Sequence, residues 1–148
     1  MTWLISKDES YYRFCSSGMI SACEIADLEI MGMKSSSGRA RLCLHSGPDD
    51  HLHIMLIYHD QRTNVPIHRH QMFGEQIIME RGELKVEFFD ESLTLTKCIS
   101  LGKGAHQTRS IWIPPSRWHL LSFLEPCLFL EISIGAMHEK KTDFANCP

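Results

Sequence analysis

From Arg41 onward, short apolar runs separated by turn residues fill the chain, and this alternation restricts what it can fold into. Runs this short, at this spacing, are expected of an all-β sandwich or barrel. Leu84, Val86 and Phe88 alternate with Lys85 and Glu87, so one face packs inward while the charged face is solvated. Asp90-Glu91-Ser92 then turns the chain. Leu93 to Ile99 and the set Leu128, Leu130, Ile132 and Ile134 repeat the period of two, while Pro114-Pro115 and Glu125-Pro126 interrupt strands. The pattern predicts roughly seven to nine strands after Ser37.

The N-terminal part reads differently. Ser21-Ala22-Cys23-Glu24 fits a capping box and Lys34 suits a helix C-terminus, so the spacing predicts a helix from Ala22 to Lys34, ended by Ser35-Ser36-Ser37-Gly38. Residues Ser6 to Glu9 can cap a shorter helix, but Tyr11, Tyr12 and Phe14 are equally at home in a strand. The expected organisation is one domain of 148 residues: a partly helical segment, 1–37, packing on a barrel, 38–148. His138-Glu139-Lys140-Lys141-Thr142-Asp143 mixes both charge signs and is expected to be a solvated terminus.

A net charge of -3 and a pI near 6.3 supply no field for nucleic acid. No apolar run approaches bilayer length, and the first thirty residues lack the apolar core of a signal peptide, so the expectation is a soluble, cytoplasmic protein with no membrane partner. The six cysteines contain no Cys-x-x-Cys pair and are expected to be free thiols. A chain of this length can bury a core without structural metal, so any metal is expected to serve function.

Chemistry concentrates in Pro66 to Gly82. His68 and His70 sit two apart, so on a strand both imidazoles face the same side and can reach one ion. Glu75 follows a turn's length later and can return a carboxylate from the neighbouring strand. Gly82 lets the chain turn again before Leu84. His119, after the turn Pro114-Pro115-Ser116, is the candidate fourth ligand. Three imidazoles and one carboxylate suit one divalent ion: iron, manganese, nickel, cobalt or zinc.

His68-x-His70-x4-Glu75-x6-Gly82 resembles the first motif of the cupins, and Pro114-x-Ser116-x2-His119 resembles their second. The resemblance implies a mainly β cupin double-stranded β-helix, a jelly-roll barrel with the metal inside on those four residues. Three positions depart from the second motif: Ser116 replaces the usual Gly, Thr108 stands where an earlier Gly is expected, and Phe123 replaces the terminal Asn. A narrower set, Ser37-x-Arg39-x-Arg41-x3-His45, Asp50, the His68 to Gly82 motif and Lys141-x-Asp143-Phe144-Ala145, is similar to the WbuC family of small cupin-fold metalloproteins. That likeness implies a setting in surface-polysaccharide synthesis.

It also raises Arg39, Arg41 and His45 as candidates to hold an anionic ligand at the barrel mouth, against the plainer reading of exposed charge. His51-Leu52-His53 has the same spacing as the first motif, but Tyr58 stands where the carboxylate is needed, so the pair is expected to cap an exposed strand. Trp112 and Trp118 are expected in the core, and Met72 and Met79 as packing residues. Three functions are open: a metal-dependent enzyme, an isomerase or other sugar-modifying cupin, acting on a sugar or nucleotide-sugar intermediate; a non-catalytic module binding a sugar or carboxylate; and an iron-dependent oxygenase. A homodimer is expected from cupin habit and from the apolar share of Met19 to Met33.

Overall fold

The computed structural model describes residues 2–15, 17–136 and 141–145, so His138, Glu139, Lys140 and Cys147 lie outside the described residues. Among the described residues two short strands, β1 (Leu4–Ile5) and β2 (Tyr11–Phe14), precede a single helix, α1 (Ala22–Lys34). Ten strands follow: β3 (Arg39–Cys43), β4 (Leu52–His59), β5 (His68–His70), β6 (Glu75–Arg81), β7 (Leu84–Phe89), β8 (Leu95–Leu101), β9 (Ser110–Ile113), β10 (His119–Phe123), β11 (Cys127–Ile134) and β12 (Thr142–Phe144). They form a seven-stranded sheet in the order β1-β2-β3-β4-β11-β6-β9 and a five-stranded sheet in the order β12-β5-β10-β7-β8. The strand expected least is β12. Its charges are engaged by the sheet: Asp143 accepts from Arg69 Nε at 3.0 Å and from Gln71 Nε2 at 2.8 Å, so this stretch is not a solvated tail.

Helix α1 begins and ends where the sequence places it. Ser21 Oγ accepts from the Glu24 amide while Glu24 accepts from the Ser21 amide, closing the capping box. Tyr11 to Phe14 resolves as a strand that pairs in parallel with β3, so β2 extends the larger sheet while α1 covers it.

That covering explains why β4 and β11 carry apolar side chains on their outward as well as their inward faces. Leu28 of α1 is fully buried against Ala40, Leu42, Leu56, Tyr58 and Leu128, the outward face of the sheet. The inner faces supply the barrel core, with Met55 and Ile57 of β4, Ile77 and Met79 of β6, Leu84, Val86 and Phe88 of β7, and Phe129 of β11. Thus Leu128 and Leu130 face the helix, whereas Phe129, Glu131 and Ser133 share the opposite parity. Burial pushes the Cys43 thiol up to about 11 and the Cys127 thiol up to about 12, which keeps both neutral. The described cysteines, Cys15, Cys23, Cys43, Cys98 and Cys127, are all free.

Helix α1 approaches the sheet closely enough that a Cβ on Gly32 would meet the Tyr58 ring at 2.0 Å. The loop after β4 then caps the helix from outside. Arg62 donates to the carbonyls of Ser35 (2.8 Å), Gly32 (3.3 Å) and Met33 (3.2 Å), and pairs with the buried Asp60 at 2.6 Å. Orphan C-terminal carbonyls and a buried carboxylate are therefore satisfied by one side chain. Arg62→Ala should cost about 1–3 kcal/mol, the usual penalty for stranding a buried polar group. Urea unfolding of the variant checks this, and an unchanged midpoint would refute it.

Candidate metal centre

The four residues flagged by the two motifs come from both sheets. His68 and His70 lie on β5 and His119 opens β10, where its Cα is the antiparallel partner of His68. Glu75 opens β6 in the other sheet. One ligand atom from each of the four falls within 4.8 Å of all the others. The Glu75 carboxylate lies 3.0 Å from His119 Nε2 and 3.5 Å from His70 Nε2. His68, Glu75 and His119 are buried and His70 is partly so.

Each imidazole is held from behind. His68 Nδ1 meets the Pro66 carbonyl at 2.8 Å and His119 Nδ1 meets the Arg117 carbonyl at 2.8 Å. A carbonyl can only accept, so both Nδ1 atoms carry the proton and both Nε2 atoms present a lone pair. His70 Nδ1 lies 3.0 Å from the Thr142 hydroxyl, which can accept in the same way. Such outer partners orient metal-binding imidazoles. The His119 lone pair then stands 3.0 Å from a carboxylate oxygen, and two electron-rich atoms at that distance require a cation, either a proton or a metal. The donor set fits one divalent ion.

Burial, with the His119 charge beside it, pushes His68 from 6.5 down to about 4. Burial raises Glu75, but its hydrogen bonds with His119 and His70 outweigh that and hold it well below the usual carboxylate range. In the metal-free protein the unfolded chain takes up protons that His68 and Glu75 refuse when folded. The His68 contribution to stability is therefore present in full above about pH 6.5 and is lost as pH drops toward about 4. Thermal unfolding of chelator-treated protein across that range should show the decline.

The turn before His119 answers the departures in the second motif. Ser116 adopts φ +62°, the left-handed conformation that glycine takes without strain. Its amide donates to the His70 carbonyl at 2.7 Å and its hydroxyl to the Gln71 carbonyl at 3.2 Å, which ties the second motif to the first. Phe123 is buried in the core. At Gly82, φ is +83° and a Cβ would lie 2.4 Å from the Pro126 carbonyl, so that turn needs glycine on both counts.

The other sequence candidates divide. Arg39 and Arg41 line a cavity of about 340 Å³ with His59, Val65, Glu131 and three of the four clustered residues. His45 lies apart, in a neighbouring pocket shared with Arg41, and its ring stacks on His53 at 4.1 Å. His53 is 1% exposed, so it does not cap an exposed strand, although His51 is exposed. Asp50 shapes the turn, accepting from the amides of Ser46 (2.6 Å) and Gly47 (3.3 Å). Trp112 is half exposed over Gly74 rather than in the core, and Trp118 carries the Arg69 guanidinium on its face at 4.4 Å. Met79 is buried in the core, whereas Met72 is exposed. The sequence reading missed His59 and Glu131; β4 parity with Met55 and Ile57 would have placed His59 inside.

His68→Ala with His70→Ala should abolish stoichiometric metal by elemental analysis while leaving a folded β protein, and retained metal would refute the assignment. His51→Ala with His53→Ala should keep the metal and lose thermal stability, since His53 is packed inside.

A family model described as "Domain of unknown function (DUF6016)" matches residues 22–101, which include His68, His70 and Glu75. A search of curated proteins finds no match. Among solved structures, oxalate decarboxylase from Lactobacillus farciminis, in a formate complex, aligns at 16% identity and TM-score 0.50 over 66% of this chain. This chain spans 27% of that protein's length. A cupin superfamily protein from Desulfitobacterium hafniense aligns at 14% identity and TM-score 0.50, covering 65% of this chain and 76% of the other. A provisionally named sugar phosphate isomerase from Acidithiobacillus ferrooxidans aligns at 15% identity and TM-score 0.59, covering 86% and 80%. These likenesses establish the cupin fold.

Proposed function

The chain belongs to the DUF6016 family and carries it on a cupin barrel, and from that premise we propose a metal-dependent enzyme acting on a small, oxygen-rich, sugar-derived substrate. The observation that carries the reading is the convergence of three imidazoles, two with Nδ1 fixed by carbonyls, on Glu75 at the wall of a cavity. His68, His70, Glu75 and His119 would hold one divalent ion. Such an ion supplies Lewis acidity toward a substrate oxygen. The chain itself buries most of His68, Glu75 and His119 and keeps the imidazoles in the ligating tautomer. Glu131 lines the same cavity and is the side chain placed to move a proton. Arg39 and Arg41, on the adjacent wall, are placed to orient an anionic group.

The finer likeness to the WbuC family supports a setting in surface-polysaccharide synthesis. Its closing strand has a physical role here: Thr142 backs His70, and Phe144 lies 6.2 Å from the His68 ring. The binding-module reading rests on the same cavity without turnover. Metal-loaded protein, incubated with sugar acids, sugar phosphates and nucleotide sugars, should convert one of them, and metal removal should reduce turnover far more than binding. Saturable binding with no metal-dependent conversion would favour the module.

The homodimer stays a proposal, supported by the exposed Met19, Ile30 and Met33 on and beside α1. Light scattering at micromolar concentration should give twice the 17.0 kDa chain mass, and the chain mass itself would refute it. Among the described residues no helix is long and apolar enough to cross a membrane.

A further inference from the structure

The cavity beside the metal cluster contains a cross-strand pair that the motifs do not account for. Arg39 on β3 and His59 on β4 are directly opposed Cα partners, so their side chains share the inward face. Both line the same cavity as His68, His70 and Glu75. Arg39 is anchored by its terminal nitrogens, Nη1 to Asp8 at 3.0 Å and Nη2 to the Asn64 carbonyl. Its third nitrogen, Nε, is buried with no protein partner. His59 Nδ1 is likewise buried with no protein partner. The His59 ring is clamped edge-on by Phe123 at 4.7 Å and Phe129 at 5.4 Å, so it cannot readily turn to find one.

Buried polar atoms without partners are uncommon and costly, and two on one opposed pair at a cavity wall mark a place that a ligand completes. Resting on the metal-site reading above, we propose that Arg39 Nε and His59 Nδ1 form a carboxylate subsite, so that the ligand is a monosaccharide acid whose hydroxyls face the metal cluster. The chemistry follows from the donors. Arg39 Nε–H can only donate, Arg41 adds a second cation to the wall, and Glu131 of the same cavity pairs with Met55 rather than with His59, so the group received beside Arg39 is an anionic oxygen. Burial, and then the charges of Arg39 and Arg41, hold His59 well below 6.5, which leaves a neutral ring that can give one hydrogen bond from Nδ1. A cavity of about 340 Å³ is small for a ligand site and suits one sugar unit. Asp8 pairs with Arg39 and approaches Arg41 at 3.9 Å, which keeps the guanidiniums in place from the outside.

Calorimetric titration of the metal-loaded full chain with glucuronate, glucose 6-phosphate and glucose tests this. Glucuronate should bind about tenfold or more tightly than glucose, a difference of one good charge-assisted contact. His59→Phe, which keeps the aromatic packing, should erase that preference, and His59→Asn, whose amide can reach the Nδ1 position, should keep most of it. Equal binding of glucuronate and glucose, an intact preference in His59→Phe, or tighter binding of glucose 6-phosphate than of glucuronate would each overturn the carboxylate subsite. Should His59→Phe not fold, the ring-nitrogen resonances of His59 in the wild-type protein serve instead. They should shift on adding glucuronate, and no shift would overturn the proposal. Elemental analysis of the same samples separates the two readings: full metal without anion preference refutes the subsite alone, and anion preference without metal refutes the metal site alone.

Discussion

A carboxylate buried inside an apolar barrel must be compensated, and Glu75 is compensated by imidazoles that arrive from the opposite sheet. Much of the surrounding architecture follows from that requirement. The imidazoles must offer Nε2, so Pro66 and Arg117 turn their carbonyls toward Nδ1, and the turns that carry those carbonyls must hold their shape. Ser116 then accepts a left-handed backbone, tethered to the carbonyls of His70 and Gln71, in place of the glycine that would adopt it freely. The polar cluster and the seam between the two sheets are consequently one structure.

The larger sheet solves a second problem, that of a wall covered on both sides. Helix α1 buries the outward side chains of β3, β4 and β11, which frees the inward positions from supplying all of the apolar area. Arg39, Arg41, His59, Glu131 and Ser133 can then stand inside the barrel without emptying the core. The helix thereby permits a polar cavity, and Arg62 secures its end by capping the carbonyls of residues 32, 33 and 35.

What was legible in the sequence was local. The capping box at Ser21 and Glu24, the alternation in β7 and the two-residue spacing of His68 and His70 each depend on neighbours a few positions apart, and the structure has them as read. What depended on distant pairing was hidden. Charges at Lys141 and Asp143 look solvated until Arg69 and Gln71 are seen beside Asp143. The apolar set on β11 suggests an inward face, yet Leu128 and Leu130 lie under the helix and the inward parity carries Glu131. Parity within β4 places His59 inside, but its pairing with Arg39 is set by register, which no spacing within β4 contains.

The pairing of β12 with β5 also bears on synthesis. Thr142 supports His70 across 72 positions of chain, and Phe144 lies against His68. A ribosome making this protein releases the two histidines of the first motif long before the strand that braces them. The nascent barrel can gather its core early, but the centre cannot take its final form until residue 142 has cleared the exit tunnel. A premature stop just short of that point would yield a chain holding all four candidate ligands and lacking the brace that orients one of them.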